Sequence, residues 1–323
     1  SDLTVWARPF AFPITSFPYN AILGGDVKCK LLFCKLIYYN EDGPEEIEVI
    51  KDPPTINSSF YDPAKTTKII THGWRSSGKS DSVMDIAKAY LESFDHNVIT
   101  VDWSEIATNP IYPWAAASTR WVGKEVANLI TALRNSYNVT ADRMHLIGHS
   151  LGAQVMGNAG TFVEQNVSRI TGLDPARPLF EFPYFEKSFA LESGDAIFVD
   201  IIHTCGGLLG YEDEHGHADF YPNDGHPSQP GCAGVQPCSH SRSYKFFAES
   251  IYNADPKFVS YRADSWKDFE NNKSTDSVIM GEHVDKAARG RYYLYTESEP
   301  KYAKGDCQAR CQDTYLWTYM SIL

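Results

Sequence analysis

The sequence predicts an α/β domain: a mainly parallel sheet covered by helices on both faces. Two observations carry that reading. Short apolar runs rich in Ile and Val alternate with amphipathic stretches of helical period, the order a parallel sheet with crossover helices requires. One such run leads into Gly148-His149-Ser150-Leu151-Gly152, a glycine-flanked serine between a strand and a helix. The length of 323 residues suits one large domain or two smaller ones, and 43% hydrophobic residues suffice for a sizeable core.

The elements follow in order. Residues 26–39 read as a strand, with a turn at Asn40-Glu41-Asp42-Gly43-Pro44. Lys68-Ile69-Ile70-Thr71 is a short strand ending at His72-Gly73-Trp74. Ser80 or Asp81 can cap a helix in which Met84, Ala87, Tyr90 and Leu91 repeat at helical spacing. Val98-Ile99-Thr100-Val101 is the next strand. A long helix then carries Val122, Val126, Ile130 and Leu133 on one stripe. Met144-His145-Leu146-Ile147 is a strand and Leu151 to about Ala159 a helix, followed by strands at 169–173 and 196–202. The stretch 205–240 is rich in Gly, Pro, His and Asp and reads as functional loops. No repeat or low-complexity linker divides the chain. Residues 1–305 therefore read as one catalytic domain, and 306–323 as a short C-terminal tail.

Composition narrows the function. A net charge of −12 opposes binding to nucleic acid and gives no attraction to an anionic membrane. No apolar run approaches the ~18 residues of a membrane-spanning helix. Ser1-Asp2-Leu3 reads as a processed or trimmed end. Seven cysteines fall in close pairs with one left over, a pattern of disulfides in an oxidising compartment. Glycosylation triplets at Asn57, Asn138, Asn166 and Asn272 agree with a secreted protein.

The glycine-serine-glycine turn is the strongest chemical signal. Strand, tight turn and helix together form a nucleophile elbow, the signature of the α/β-hydrolase fold, and the helix dipole favours negative charge developing near Ser150. A serine hydroxyl needs a base, and the base needs an orienting acid. In this fold the acid follows the serine and the histidine follows the acid. Asp174, in Gly172-Leu173-Asp174-Pro175-Ala176, sits where a strand ends, and Pro175 forces the turn. Asp200 is the rival, although its place inside an apolar run also suits a buried structural carboxylate. His203, His215, His217, His226, His240 and His283 all follow the acid. An oxyanion hole needs two backbone N–H groups. Leu151, directly after the serine, supplies one, and Trp74, after the earlier strand, is placed for the other.

At these residues the chain resembles the pancreatic lipase-like family, especially its insect neutral lipase and phospholipase A1 members. The resemblance runs over most of residues 20–305. It rests on Thr71-His72-Gly73-Trp74, Val101-Asp102-Trp103, the Ser150 elbow, the Asp174 strand end and Val199-Asp200-Ile201-Ile202-His203-Thr204. Asp219-Phe220-Tyr221-Pro222-Asn223 and Cys238-Ser239-His240-Ser241-Arg242-Ser243 complete it. It implies cleavage of lipid esters by a Ser150, Asp174, His240 triad. It also implies a lid bounded by Cys232 and Cys238, here enclosing only 233–237, and hence a disulfide between them with Cys205 unpaired. Cys29, Cys34, Cys307 and Cys311 can pair locally or across the chain, with only a weak preference for local pairing. The family's C-terminal β-sandwich domain is not expected, and no colipase-type partner is implied. A family calcium site precedes the strand at 196–202. Glu192 and Asp195 fit it, but Lys187 stands where an acidic ligand is needed, so no metal or cofactor is expected. The expected substrate is a neutral glyceride, a phospholipid sn-1 ester, or both, met by peripheral contact with a lipid surface. A catalytically silent lipid-binding or yolk-type protein is the competing reading.

Overall fold

A computed structural model describes residues 35–40, 43–47, 49–51, 53–58, 60–183, 189–274 and 276–307. The described strands are β1 (Lys35–Asn40), β2 (Gly43–Ile47), β3 (Val49–Lys51), β4 (Pro54–Ile56), β5 (Thr67–Thr71), β6 (Asn97–Asp102) and β7 (Met144–His149). They continue with β8 (Arg169–Leu173), β9 (Phe198–Ile202), β10 (Ala218–Pro222), β11 (Val259–Arg262), β12 (Ser277–Ile279) and β13 (Gly290–Leu294). The helices are α1 (Asp81–Ser93), α2 (Ser104–Ala107), α3 (Tyr112–Tyr137), α4 (Leu151–Phe162), α5 (Gln236–Ile251) and α6 (Trp266–Glu270).

Among the described residues the main sheet runs β12-β11-β13-β10-β9-β8-β7-β5-β6-β1-β2. From β6 across to β13 every neighbouring pair is parallel, and the flanking strands β1, β2, β11 and β12 are antiparallel. The central strands are buried along their whole length, as two-sided cover demands. Strand period 2 sorts their side chains. Ile70, Val98, Ile147, Leu173 and Ile202 face a cluster completed by Val83, Ile86 and Tyr90 of α1 and by Tyr244, Phe247 and Ile251 of α5. Alternate residues face α4, where a Cβ on Gly160 would meet Ile170 at 3.0 Å. The close approach of α3 to α4 needs Gly123, whose Cβ would stand 2.6 Å from that of Asn158.

Four details differ from the sequence reading. Gly43 and Pro44, expected in a turn, belong to β2 and pair with Asn40 and Tyr39. On α1 the buried stripe is Val83, Ile86, Ala87 and Tyr90, whereas Leu91 is 38% exposed. The i, i+3, i+4, i+7 set that includes Ile86 is the one that packs on the sheet, with Val83, Ile86, Ala87 and Tyr90 all in the buried cluster. The strand expected at 196–202 begins at Phe198, and Ile197 points outward at 54% exposure. The stretch 205–240 is not all loop: it contains β10 and the first residues of α5. Residues 26–34 of the first expected strand and the tail from 308 lie outside the described residues.

Candidate active site

Ser150 stands between β7 and α4 at φ 58°, ψ −124°. A non-glycine residue held there carries of order 1–3 kcal/mol of strain. The turn exists because its flanks lack side chains. A Cβ on Gly148 would lie 2.2 Å from the Gly152 carbonyl oxygen, and one on Gly152 would lie 2.7 Å from that of His72. Ser150 is the N-cap residue of α4, so the positive end of the helix dipole faces the turn.

Register places the acid beside the serine. His149 pairs with Leu173 in adjacent parallel strands, so the next residue of each, Ser150 and Asp174, leaves the sheet side by side. The ladder continues one step further: Ser150 N–H donates to Leu173 O at 3.1 Å, and Asp174 N–H to Ile202 O at 2.8 Å. Asp174 is wholly buried. Its Oδ1 accepts the N–H groups of Thr204 (2.7 Å) and Cys205 (3.0 Å), and its Oδ2 lies 2.5 Å from His240 Nδ1. A carboxylate only accepts, so the Nδ1 proton points at Asp174 and Nε2 is left free to act as a base.

His240 reaches this position from the start of α5. The Cys232–Cys238 disulfide closes the loop before it, and Gln236 and Pro237 of that loop already begin the helix. Cys205 is a free, buried thiol. Burial, with Asp174 nearby, pushes it up to about 11. Cys307 is disulfide-bonded, and its partner, like all of Cys29, Cys34 and Cys311, lies outside the described residues.

The backbone of 72–74 passes directly against the nucleophile: a Cβ on Gly73 would lie 2.7 Å from that of Ser150. Side chains pin this segment. His72 Nδ1 lies 2.9 Å from Gly73 O and its Nε2 3.2 Å from Asp102 Oδ1, while Trp103 Nε1–H donates to His72 O at 2.9 Å. Burial alone would raise the Asp102 carboxyl, but hydrogen bonds from His72, Ser104 and Gly78 hold it well below the ordinary range. The indole of Trp74 donates to Asn109 O at 2.8 Å and packs edge-on against Tyr112. Its side chain is thus occupied in packing. Leu151 is buried beneath the turn.

The other candidates have other partners. Asp200 holds Arg169 through two bonds of 2.7 and 2.8 Å and accepts from Thr171, so both of its oxygens are committed to partners other than a histidine. His203 lies 2.9 Å from Asp219 Oδ1 and 3.0 Å from Tyr211 O, tying β9 to the 211–219 loop. His217 Nδ1 accepts from Val199 N–H, His226 faces Asp224, and His283 packs on Phe94. His215 Nε2 lies 3.4 Å from Glu181 Oε1. Among the described residues, the histidine that meets Asp174 is His240.

Glu192 and Asp195 cap the short 193–195 turn together. Asp195 Oδ2 accepts from Glu192 N–H at 2.9 Å, and Oδ1 from the Thr161 hydroxyl at 3.1 Å. Burial lifts Asp195 to about 6. Lys187 lies outside the described residues. Among the described residues no group of three His, Cys, Asp or Glu side chains is arranged to hold a metal ion.

Sequence reasoning passed over three supporting residues. Gln154, one turn into α4, is fully buried; its Nε2 donates to Ala176 O, and its Oε1 accepts from Leu191 N–H and Tyr211 OH. Glu181 accepts from Arg177 Nε and from the amides of Glu212 and Asp213, pinning the loop that covers Asp174. The third is His149, one residue before the nucleophile. Only Gln154 left a trace in the sequence, as one of the few polar residues in a helix otherwise made mainly of small and apolar ones.

A parallel sheet of this order, with a strained serine at its central strand-to-helix turn, defines the α/β-hydrolase fold. The chain belongs to the lipase family: the family model described as Lipase matches residues 26–302. It is 32% identical over 341 residues to the inactive pancreatic lipase-related protein 1 of Mus musculus, covering 94% of this chain and 69% of that protein. It is 33% identical to pancreatic lipase-related protein 2 of Mus musculus, over 83% of this chain and 58% of that one. To the pancreatic triacylglycerol lipase of Equus caballus it is 32% identical, over 94% and 71%. Among solved structures, a CE1 ferulic acid esterase from Anaeromyces mucronatus aligns at 16% identity and a TM-score of 0.34, covering 55% of this chain and 74% of that one. The sheet topology, not that likeness, defines the fold here.

Proposed function

We propose that the chain is a secreted lipid ester hydrolase working through Ser150, His240 and Asp174. The observation that carries the reading is the 2.5 Å contact between Asp174 Oδ2 and His240 Nδ1, beside a serine held at a strained elbow. Ser150 Oγ attacks the ester carbonyl while His240 Nε2 takes its proton. The N–H groups of Leu151 and Trp74 stabilise the oxyanion. His240 then protonates the leaving alcohol, and water resolves the acyl-enzyme by the same steps in reverse roles. Asp174 keeps the imidazole in the right tautomer and balances its transient charge.

The substrate is a neutral glyceride or a phospholipid sn-1 ester. The 233–237 segment between Cys232 and Cys238 supports an open site, because so short a tied loop is too small for a lid helix. Hydrolysis of monomeric short-chain esters without a jump at the aggregation threshold follows. Secretion is supported by the disulfide and by exposed asparagines at all the glycosylation triplets: Asn57, Asn138, Asn166 and Asn272. No helix among the described residues is long and apolar enough to cross a membrane.

A relative named as inactive at 32% identity favours a second reading, a silent lipid-binding protein on the same scaffold. A fluorophosphonate probe separates the two. Labelling of the wild type and not of Ser150→Ala supports the hydrolase; lipid binding without labelling supports the carrier.

A further inference from the structure

His149 ends β7, one residue before the nucleophile, and only 9% of it is exposed. Its ring leaves the sheet on the side of α5, not toward the elbow. There its Nε2 lies 3.2 Å from the backbone oxygen of His240. The two imidazole rings sit 4.5 Å apart between centroids, tilted by 46°, and Tyr244 closes the other side edge-on at 5.3 Å. A carbonyl oxygen only accepts, so the contact fixes the proton of His149 on Nε2. Burial first, and then the neighbouring His240, push His149 well below the ordinary imidazole range. It therefore stays neutral and adds no positive charge beside a base that must itself become cationic.

We propose that His149 is a positioning residue that holds His240 in reach of Ser150, by donating a hydrogen bond to the His240 carbonyl and packing against its ring. The base is then restrained at two points. Asp174 fixes the ring at Nδ1, while His149 fixes the backbone from which the ring hangs. The same carbonyl also accepts from Ser243 Oγ at 2.9 Å, so the first turn of α5 is anchored both within the helix and to the nucleophile's own strand. Because His149 is covalently next to Ser150, any shift of the elbow carries the anchor of the base with it, and the spacing between nucleophile and base is kept. A displacement of about 1 Å at such a contact is enough to lower turnover by about 100-fold.

The inference rests on the hydrolase reading for its kinetic consequence, so the test has two readouts. His149→Phe keeps a ring and removes the donor; His149→Gln keeps a donor and removes the ring. Turnover is measured on a soluble short-chain ester. The strongly deshielded Nδ1 proton of His240, shared with Asp174, is followed by proton NMR, which needs no activity. His149→Phe is expected to lower kcat by about 10- to 100-fold with KM unchanged, and to broaden or remove the low-field proton. His149→Gln is expected to recover most of both. Wild-type kcat and a sharp low-field proton in both variants overturn the proposal, as does equal loss in both variants. If the wild type takes up no fluorophosphonate yet its low-field proton responds as described, the positioning role stands and the hydrolase reading fails.

Discussion

Gly210 lies directly against the carboxylate of Asp174: a Cβ built on it would stand 2.3 Å from Oδ1 and 2.5 Å from Oδ2. The loop that carries it bridges to Ala176 and folds over the acid, which is why Asp174 is wholly sealed from water. Gly210→Ala must push either the loop or the carboxylate away, and overpacking of this kind costs about 1–3 kcal/mol. The expected outcome is a lowered melting temperature with kcat down by at least about tenfold and KM little changed. Steady-state kinetics on a soluble ester, beside thermal unfolding, checks it. Unchanged kcat would mean that the Asp174 carboxylate does not depend on this cover.

The elbow glycines predict a different pattern. A Cβ on Gly152 would meet the backbone oxygens of His72 and Thr71 at 2.7 and 2.9 Å, so the first turn of α4 could no longer press on the end of β5. The obstacle is backbone, which cannot rotate aside. Gly152→Ala should destabilise the fold by about 1–3 kcal/mol and also separate the Leu151 and Trp74 amides. Loss of both stability and fluorophosphonate labelling is expected; a variant that labels at the wild-type rate would remove the close-approach argument.

Glu181 makes the cover over Asp174 sensitive to acid. Burial raises its carboxyl, but His215, the Asp213 amide, Arg177 and the Glu212 amide outweigh that and hold it down at about 2. In the unfolded chain it titrates near the ordinary value of about 4.3. A depressed folded value means that the stabilisation is complete above the unfolded value and is lost as pH falls from there towards 2. Glu181→Gln, which cannot titrate, should therefore melt lower than wild type at pH 6, with the gap closing as pH approaches 2.5. Thermal unfolding across that range is the measurement. A gap independent of pH would show that the carboxylate charge contributes nothing.

What the sequence made legible follows from the range of each signal. The elbow, the Asp174 turn and the alternating strands are local patterns, so they could be read from a few consecutive residues. On α1 the expected Ala87 and Tyr90 are buried, but Val83 and Ile86 take the places expected for Met84 and Leu91, because residues about as apolar stand on both sides of the Ala87–Tyr90 line. The choice among six candidate histidines needed the resemblance. His240 meets Asp174 only through the placement of α5, 66 residues later in the chain. Glu181 and His149 could not be found at all. Their roles are contacts with the 212–213 amides and the His240 carbonyl, and backbone groups carry no mark in a sequence.

The two rival acids give the most discriminating comparison. Asp200 is wholly buried and held by Arg169, whose other guanidinium N–H groups donate to the Gly281 and Glu282 carbonyls. Lys68 joins the same buried cluster through Glu282 at 2.5 Å, and Tyr90 through the other oxygen at 2.6 Å. Removing the Asp200 charge would strip Arg169 of its two shortest ion-pair bonds and leave the buried Arg169 and Lys68 cations to share Glu282, which lies 3.4 Å from Arg169 Nη1, a loss of up to about 3–5 kcal/mol. Asp200→Asn should therefore lower stability sharply while the folded fraction keeps its kcat. Asp174 has no cation of that kind to strand; its contacts are two amides and one imidazole. Asp174→Asn should fold nearly as well as wild type but lower kcat by about 1,000- to 10,000-fold, because the amide favours the wrong imidazole tautomer. Chemical denaturation and active-site titration of each purified variant separate the two effects. The assignment of the acid is lost if Asp200→Asn folds normally and is inactive while Asp174→Asn turns over at the wild-type rate.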